Sequence, residues 1–322
     1  MTWQSSDTRN TVHVFVEPEL SPERSEVPFV SIAVIAYNKI STIEKCLSSL
    51  EDLDYPRSKY EVVVVDGGST DGTVEIVRKF AVNLVTDTRK CRGVARNTAV
   101  SNCQGQIILF TDADCVPSRS WLRDHVSLHR DPNVFAVAGA VAQGGDFSLP
   151  ARIYHRSEFS ALSPLSKRKI TWEVATCNAS FKRSVFTQVG PFPDLNWSED
   201  CLLCWRILQA GYGVIFDPSP MVVHLHESFS FKSLFRKIWR QGYFDRDLQD
   251  SFGKSPPYRL PKNFFAVVLL SPSLLVARVG RYFSKFASSS SRRSELLTLP
   301  PILVAISLSW TAGYLASAYQ RR

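Results

Sequence analysis

The chain has 322 residues, of which 44% are hydrophobic and 21% charged, a composition that supports a globular fold with a substantial core. Its formal net charge of +8 indicates an anionic partner, such as nucleic acid, acidic lipid or a phosphate-bearing substrate. No basic–aromatic recognition module accompanies the charge, so nucleic acid is not expected as a partner. The seven cysteines form no repeating pattern, which argues against a disulfide framework.

The N-terminal residues 1–27 are polar and proline-bearing, and they predict a flexible leader. They contain no apolar signal-peptide segment, so the folded part is expected to remain in the cytoplasm. Order is predicted to begin with a buried strand at Val30–Asn38, followed by a helix at Ser41–Leu53. The strand at Tyr60–Val65 is nearly all valine, which suits a parallel sheet covered on both faces.

Further helices are predicted at 72–80 and Arg92–Asn102, and a further strand at Gln106–Thr111. This alternation of strands and helices predicts a doubly wound α/β domain. Ligands of such sheets bind beyond the carboxyl ends of the strands. The loops to search are therefore those that follow three strands: after Ala36, Val65 and Thr111.

The segment 231–242 has an aromatic and apolar helical face beside a basic one. The apolar face holds Phe231, Leu234, Phe235, Ile238 and Trp239. The basic face holds Lys232, Arg236, Lys237 and Arg240. Two interpretations stand: an interfacial membrane helix, or a surface helix packed on the domain.

Residues 246–322 hold two apolar segments, at about 263–280 and 296–319, which predict association with the cell membrane. The first offers about 15 apolar-rich residues before Arg278, which is short for a span of the ~30 Å hydrocarbon core. Pro300 and Pro301 are expected to bend the start of the second. Basic residues flank the second segment on both sides, so its orientation stays open, and a hairpin or a re-entrant first segment fits equally.

The stretch EVVVVDGGSTDGT places Asp66 at a strand end, followed by two glycines that let the backbone turn beneath a ligand. A carboxylate at this position can accept hydrogen bonds from a nucleobase or a ribose. The alternative is a plain turn, because Asp and Gly dominate turns in any case.

Two carboxylates, Asp112 and Asp114, follow the buried strand in IILFTDADC with one small residue between them. This spacing lets both approach a single hard cation, and Mg²⁺ or Mn²⁺ prefers such oxygen ligands. Carboxylates this close repel each other unless a cation or a basic partner is present. The alternative is a solvated acidic loop.

Glu199 and Asp200 begin a helix that is predicted to end at Gly211. One of these carboxylates is a candidate general base for an acceptor hydroxyl; the alternative is simple stabilisation of the helix dipole. Cys201 and Cys204 form a C-x-x-C without a second ligand pair, so they are interpreted as small buried hydrophobes and not as a zinc site.

The order and spacing of these stretches resemble the family 2 glycosyltransferases of GT-A fold. The resemblance rests on a strand followed by YN, V-D-x-x-S-x-D-G-T, the segment Ala95–Asn97, D-x-D, and E-D-x-x-x-x-x-R-x-x-x-x-G-Y. It implies an α/β, Rossmann-like fold at 28–245, with a nucleotide-binding half at 28–115 and an acceptor half at 116–245. C-terminal membrane-associated helices would follow this domain.

For the donor, a nucleotide-diphospho-sugar, the resemblance implies five contacts. Tyr37 and Asp66 would lie against the nucleobase, and Arg92 would reach the nucleotide or its diphosphate. Asp112 would contact the ribose or the metal. Asp114 would be the principal ligand of a divalent cation, Mg²⁺ or Mn²⁺.

On the acceptor side, the resemblance implies that Asp200 is the catalytic base and that Glu199 orients the acceptor. His224 or His226 would join the metal or the diphosphate; the alternative is a histidine pair without metal. The Q-x-x-R-W motif of the processive synthases is missing from this sequence. Addition of one sugar per event is therefore expected, without polymerisation.

The implied reaction is an inverting displacement at the cytoplasmic face of the membrane, onto a lipid-linked or glycan acceptor. The membrane tail suggests the lipid-linked acceptor by location alone. A sugar-phosphate nucleotidyltransferase is a rival, but it requires a glycine-rich N-terminal phosphate loop, and VSIAVIAYNKIST contains no glycine. A non-catalytic, membrane-tethered sugar-nucleotide-binding protein is the other rival, and the intact acidic set argues against it.

Overall fold

The computed structural model describes residues 27–227, 229–252, 260–261, 263–287 and 295–320. The predicted leader, residues 1–27, lies outside the described residues except for Val27. All seven cysteines are free, as their irregular spacing predicts.

The described strands form a single mixed sheet in the order β3-β2-β1-β4-β8-β6-β9-β5, with β7 beside β9. Their bounds are β1 (Val30–Ala36), β2 (Tyr60–Asp66), β3 (Asn83–Thr86), β4 (Ile107–Asp112), β5 (Cys115–Pro117), β6 (Val134–Gly145), β7 (Lys169–Ile170), β8 (Asn178–Lys182) and β9 (Gly213–His226).

The first half of this sheet has the parallel arrangement that the sequence predicts. Strands β1 to β4 pair in parallel and are covered on both faces, which is why β1, β2 and β4 appear as unbroken apolar runs. Beyond β4, where no further strands were predicted from the sequence, the sheet is mixed, because β8 runs antiparallel to both β4 and β6. This reversal brings β9 alongside β6 in parallel and alongside β5 in antiparallel register.

The helices cover the sheet and then form a separate C-terminal group. Their bounds are α1 (Ile43–Glu51), α2 (Thr73–Val77), α3 (Arg92–Asn102), α4 (Trp121–Leu128), α5 (Leu149–Phe159), α6 (Val185–Gln188), α7 (Glu199–Gln209), α8 (Phe231–Ser251), α9 (Phe264–Ala287) and α10 (Glu295–Gln320).

The apolar stripe of α8 packs on α10. Leu234 and Ile238 are fully buried in a cluster with the apolar side of α10. The two helices cross closely where glycines meet backbone: a Cβ added at Gly242 would lie 2.0 Å from the carbonyl oxygen of Trp310, and one at Gly313 equally close to that of Trp239. Both positions therefore require glycine.

Helices α9 and α10 are each long and apolar enough to cross a membrane, by length and composition. The first is longer than predicted, since its 24 residues continue past Arg278 and include a candidate span of 20 residues. That span is only 6% buried, whereas the corresponding span of α10 is 44% buried. The apolar surface of α9 is thus largely uncovered by the rest of the described chain.

Candidate active site

A cavity of about 1110 Å³ opens beyond the carboxyl ends of the four parallel strands. This is the edge where α/β sheets bind their ligands, and ligand pockets are typically roughly 300–1,000 Å³. Residues of the sheet, α3, α5, α7, α8 and α9 line the cavity. Its walls bring together side chains distant in sequence, among them Tyr37, Asp87, Arg92, Asp112, Asp114 and Asp200.

Asp114 lies at the centre of a cluster created by strand pairing. In the antiparallel register of β5 and β9, His224 lies opposite Cys115, the residue after Asp114. His224 Nε2 consequently lies 3.6 Å from Asp114 Oδ1, and Lys39 Nζ lies 2.8 Å from Asp114 Oδ2. Burial pushes the pKa of Asp114 upward, but His224 and Lys39 outweigh it and hold the pKa below its usual value. Asp114 is therefore a carboxylate at neutral pH.

The neighbouring Asp112 experiences the opposite balance. Burial raises the pKa of Asp112, and the charge of Arg96 only partly opposes this effect. The surrounding cations thus partly offset the burial and the mutual repulsion of these two carboxylates.

The cluster fits a hard divalent cation. Asp114 Oδ1 and His224 Nδ1 are buried and have no hydrogen-bond partner among the described residues. Ligand atoms of Asp114, Cys115 and His224 lie within 4.8 Å of one another. Burial raises the pKa of the Cys115 thiol well above its usual value, so the thiol stays protonated and the oxygen and imidazole groups are the suitable ligands for Mg²⁺ or Mn²⁺.

Of the two predicted histidines, only His224 is brought against Asp114. His226 stacks on His224 with ring centroids 4.5 Å apart, but its Nε2 lies 3.0 Å from Nδ1 of His155. Burial, followed by the charges of His224 and His155, lowers the pKa of His226 to about 3. His226 is thus a neutral buried partner that supports the ring of His224.

Asp200 lies in the first turn of α7 and lines the cavity. Its Oδ2 accepts hydrogen bonds from the backbone N–H and the hydroxyl of Thr176, at 3.0 and 3.2 Å. Its Oδ1 accepts from the N–H of Cys201 at 2.9 Å. These bonds hold a half-buried carboxylate in one orientation at the cavity wall.

Glu199, the residue before Asp200, has a different environment. Its side chain is 2% exposed and forms an ion pair with Arg96 of α3, itself only 6% exposed. The sequence motif contains both partners but gives no indication that they pair, because α3 and α7 are about a hundred residues apart.

The residues predicted to meet the nucleobase separate into two environments. Tyr37 is 51% exposed and lines the cavity, and its side chain lies so close to Gly67 that a Cβ there would be 3.2 Å away. Asp66 is buried outside the cavity lining, and its carboxylate accepts bonds from the N–H groups of Gly68 and Ser69 and from the Ser69 hydroxyl. Asp66 therefore shapes the loop beneath Tyr37.

The predicted Arg92 lies at the first turn of α3, beside the cavity. Its backbone N–H donates to Asn196 Oδ1 at 3.0 Å, and its guanidinium lies 5.6 Å from the ring centroid of Trp197. Lys39 and Asp87 also line the cavity but were not among the residues predicted from the sequence. Asp87 follows the unpredicted β3, whereas Lys39 could have been noticed as a basic residue after a strand that neighbours the D-x-D strand.

Comparison with known proteins identifies the relatives of this site and fold. The sequence model described as Glycosyl transferase family 2 matches residues 31–190. Glycosyltransferase AglE of Haloferax volcanii is 33% identical over 237 residues, which cover 68% of this chain and 73% of AglE. Poly-beta-1,6-N-acetyl-D-glucosamine synthase of Staphylococcus aureus (strain COL) is 26% identical over 248 residues, which cover 73% of this chain and 60% of the synthase.

Among solved structures, the chain is similar to mannosyltransferase PcManGT from Pyrobaculum calidifontis, solved in complex with GDP-Man and Mn²⁺. The TM-score is 0.61 at 26% identity, and the match covers 94% of this chain and 89% of PcManGT. Together with the order of the motifs around the cavity, these matches show that the chain belongs to glycosyltransferase family 2 and has the GT-A fold.

Proposed function

We propose that the protein transfers a single sugar from a nucleotide-diphospho-sugar to an acceptor hydroxyl by one inverting displacement, with Asp200 as the general base. The observation that carries this proposal is the presence of Asp200 and the Asp114–His224 pair in the walls of one cavity. A donor held near Asp114 and an acceptor held near Asp200 would thus meet inside a shared space.

On the donor side, Tyr37 would pack against the nucleobase, and Arg92 would contact the nucleotide or its diphosphate. Asp66 would act through the loop that it organises beneath Tyr37. Asp114, with Asp112 and His224, would hold Mg²⁺ or Mn²⁺, which when bound supplies Lewis-acid neutralisation of a leaving diphosphate. The complex of the similar PcManGT with GDP-Man and Mn²⁺ supports a metal-dependent donor site.

On the acceptor side, Asp200 would accept the proton of the attacking hydroxyl. The hydroxyl oxygen would bond to the anomeric carbon as the bond between that carbon and the nucleoside diphosphate breaks. The hydrogen bonds from Thr176 leave this carboxylate little rotational freedom, and a base that is already oriented loses less entropy on reaching the transition state. Glu199 would contribute by holding Arg96 and the start of α7 in place. One displacement from the face opposite the leaving group inverts the anomeric configuration.

The acceptor is proposed to be lipid-linked, at the cytoplasmic face of the cell membrane. The support is the position of α9, which contributes Arg278 and Arg281 to the cavity lining and also carries the largely uncovered apolar span. A helix that contacts both a membrane and the cavity would bring a lipid-borne hydroxyl close to Asp200.

The stereochemistry of the product tests the proposed reaction. The full chain in lipid nanodiscs is incubated with Mn²⁺, α-linked UDP- and GDP-sugars, and a polyprenyl-diphosphate saccharide, whose sugar supplies the acceptor hydroxyl, and the product anomer is read by NMR. A β-linked product is expected. An α-linked product would contradict the single displacement, and the absence of transfer from every donor would contradict the function itself.

A further inference from the structure

Helix α8 contributes to the cavity a lysine to which the proposed reaction assigns no role. Lys237 and Arg240 on α8 both line the cavity, and of the predicted basic face Lys237 is half-buried, whereas Lys232, Arg236 and Arg240 are exposed. Helical periodicity alone did not predict this position of Lys237 in the cavity wall. Its side chain points to the interior.

The surroundings of the Lys237 ammonium retain its charge. The nitrogen lies 4.3 Å from the ring centroid of Tyr154 and 4.9 Å from that of Phe229. Aromatic faces attract a cation without neutralising it. In the part of the chain that the structure describes, Lys237 takes part in no ion pair, although the charge of Glu158 reaches it. A half-buried charge of this kind is stabilised when an anion enters the cavity.

Lys237 also lies within electrostatic reach of Asp114. Burial lowers the pKa of Lys237; the charges of Lys39 and Arg92 lower it further, while those of Glu158 and Asp114 act in the opposite direction. Lys39 of the loop after β1, Arg92 of α3 and Lys237 of α8 thus line one cavity, and the charges of the first two reach Lys237. Three converging cations suit a polyanion better than they suit a neutral sugar.

We propose that Lys237 binds a phosphate group inside the cavity, as a point-charge donor delivered by α8. This inference rests on the proposed function, since the phosphate belongs either to the diphosphate of the donor or to the phosphate of a lipid-linked acceptor. Because α8 packs on α10 through Gly242 and Gly313, the C-terminal helices hold Lys237 in position. The proposed membrane part of the chain thereby supports the helix that carries Lys237.

Binding measurements with the full chain in nanodiscs test this assignment. The dissociation constants of inorganic pyrophosphate, UDP and GDP are measured with Mn²⁺ for wild type, Lys237→Gln and Lys237→Arg. The KM of polyprenyl phosphate is measured in parallel. Lys232→Gln is the matched control, because Lys232 is an exposed lysine of the same helix. Loss of a charge-assisted hydrogen bond predicts binding weaker by about tenfold or more in Lys237→Gln, with partial rescue in Lys237→Arg and no change in the control.

The two sources of phosphate give different outcomes. Weaker pyrophosphate and nucleotide binding in Lys237→Gln assigns the residue to the donor diphosphate. Unchanged nucleotide binding with an increased KM for polyprenyl phosphate assigns it to the lipid phosphate. If Lys237→Gln shows neither effect while its thermal midpoint matches that of wild type, the proposal is overturned. If wild type binds pyrophosphate through Lys237 but no nucleotide sugar, the proposed function fails while the phosphate site stands.

A second measurement needs no variant and remains decisive if Lys237→Gln fails to fold. Wild-type protein is acetylated with an amine-reactive reagent, and the rate at Lys237 is followed by mass spectrometry. Mn²⁺ with pyrophosphate, GDP or UDP, or polyprenyl phosphate alone, is expected to slow acetylation of Lys237 several-fold and to leave Lys232 unaffected. If none of the added phosphate ligands changes the acetylation rate of Lys237 from its value without ligand, the assignment is contradicted.

Discussion

Arg96 of α3 and Glu199 of α7 form an ion pair in which both side chains are buried. Arg96 comes from the donor half of the predicted domain and Glu199 from the acceptor half. Asp200 is the next residue in the chain, so the pair holds the proposed base against the donor side. Asp112 is close enough for the charge of Arg96 to influence its pKa, which places this pair at the centre of the site's electrostatics.

Breaking this pair is expected to destabilise the fold. Glu199→Gln and Arg96→Met each leave one buried charge without its partner, which typically costs about 3–5 kcal/mol. The double variant Arg96→Met/Glu199→Gln removes both charges and is expected to recover most of that loss. Thermal and denaturant unfolding of the purified chain measure the effect. Additive losses in the double variant would show that the two residues do not act as a pair.

Removing the proposed base is expected to affect turnover while leaving donor binding intact. Asp200→Asn keeps the shape and the hydrogen bonds from Thr176 but cannot accept the acceptor proton, so kcat is expected to fall by about 10²–10⁴-fold. The dissociation constant of the donor should stay within about twofold of the wild-type value. Steady-state kinetics and calorimetry provide these values.

The control for this substitution is Asp194→Asn, an exposed carboxylate in the segment that leads to α7. It should leave kcat unchanged. A kcat of Asp200→Asn close to that of wild type would remove Asp200 from the role of base.

The crossing of α8 and α10 is expected to tolerate no side chain. In Gly313→Ala, the added Cβ would lie 2.0 Å from the Trp239 carbonyl oxygen, and such overpacking costs about 1–3 kcal/mol. Gly280→Ala on α9 is the matched control, since nothing lies within 4 Å of its Cβ and alanine is the better helix former. A lower thermal midpoint is expected for the first variant only. Equal midpoints would contradict the close crossing.

The uncovered face of α9 is expected to hold the chain in a membrane. Leu269 and Val276 are 79% and 72% exposed, and a charged residue within a spanning helix costs about 2.5–3.5 kcal/mol. Leu269→Glu/Val276→Glu should therefore reduce the fraction retained in membranes after an alkaline carbonate wash. Leu165→Glu, at an 85% exposed position outside the span, should not. Equal retention of both variants would argue against membrane insertion of α9.

The nucleotide-binding half could largely be predicted from the sequence because its signals are local. The apolar runs of β1, β2 and β4 follow from their burial in a parallel sheet, and the predicted bounds of α3 match the structure. The strand β3 was missed because Asn83–Thr86 is a short edge strand with no fully buried residue. Because β3 was not predicted, Asp87, which follows it, was not predicted as a cavity residue.

The assembly of the site could not be predicted, because it depends on pairing between distant segments. His224 meets Asp114 only through the register of β5 and β9, whereas the neighbouring His226 turns to His155. Helical periodicity placed Lys237 on a basic face, but the packing of α8 against the domain directs it into the cavity. Side-chain periodicity describes an isolated element and carries no information about what that element will pack against.

Donor binding is the measurement that tests the central claim most directly. UDP- and GDP-sugars are titrated with and without Mn²⁺ into the full-length wild type, Asp114→Ala and the control Asp52→Ala, which removes an exposed carboxylate at the end of α1. Metal-dependent binding of one donor by wild type and the control, lost in Asp114→Ala, is the predicted result. Binding that is independent of both Mn²⁺ and Asp114, or no binding of any nucleotide sugar, would contradict the account.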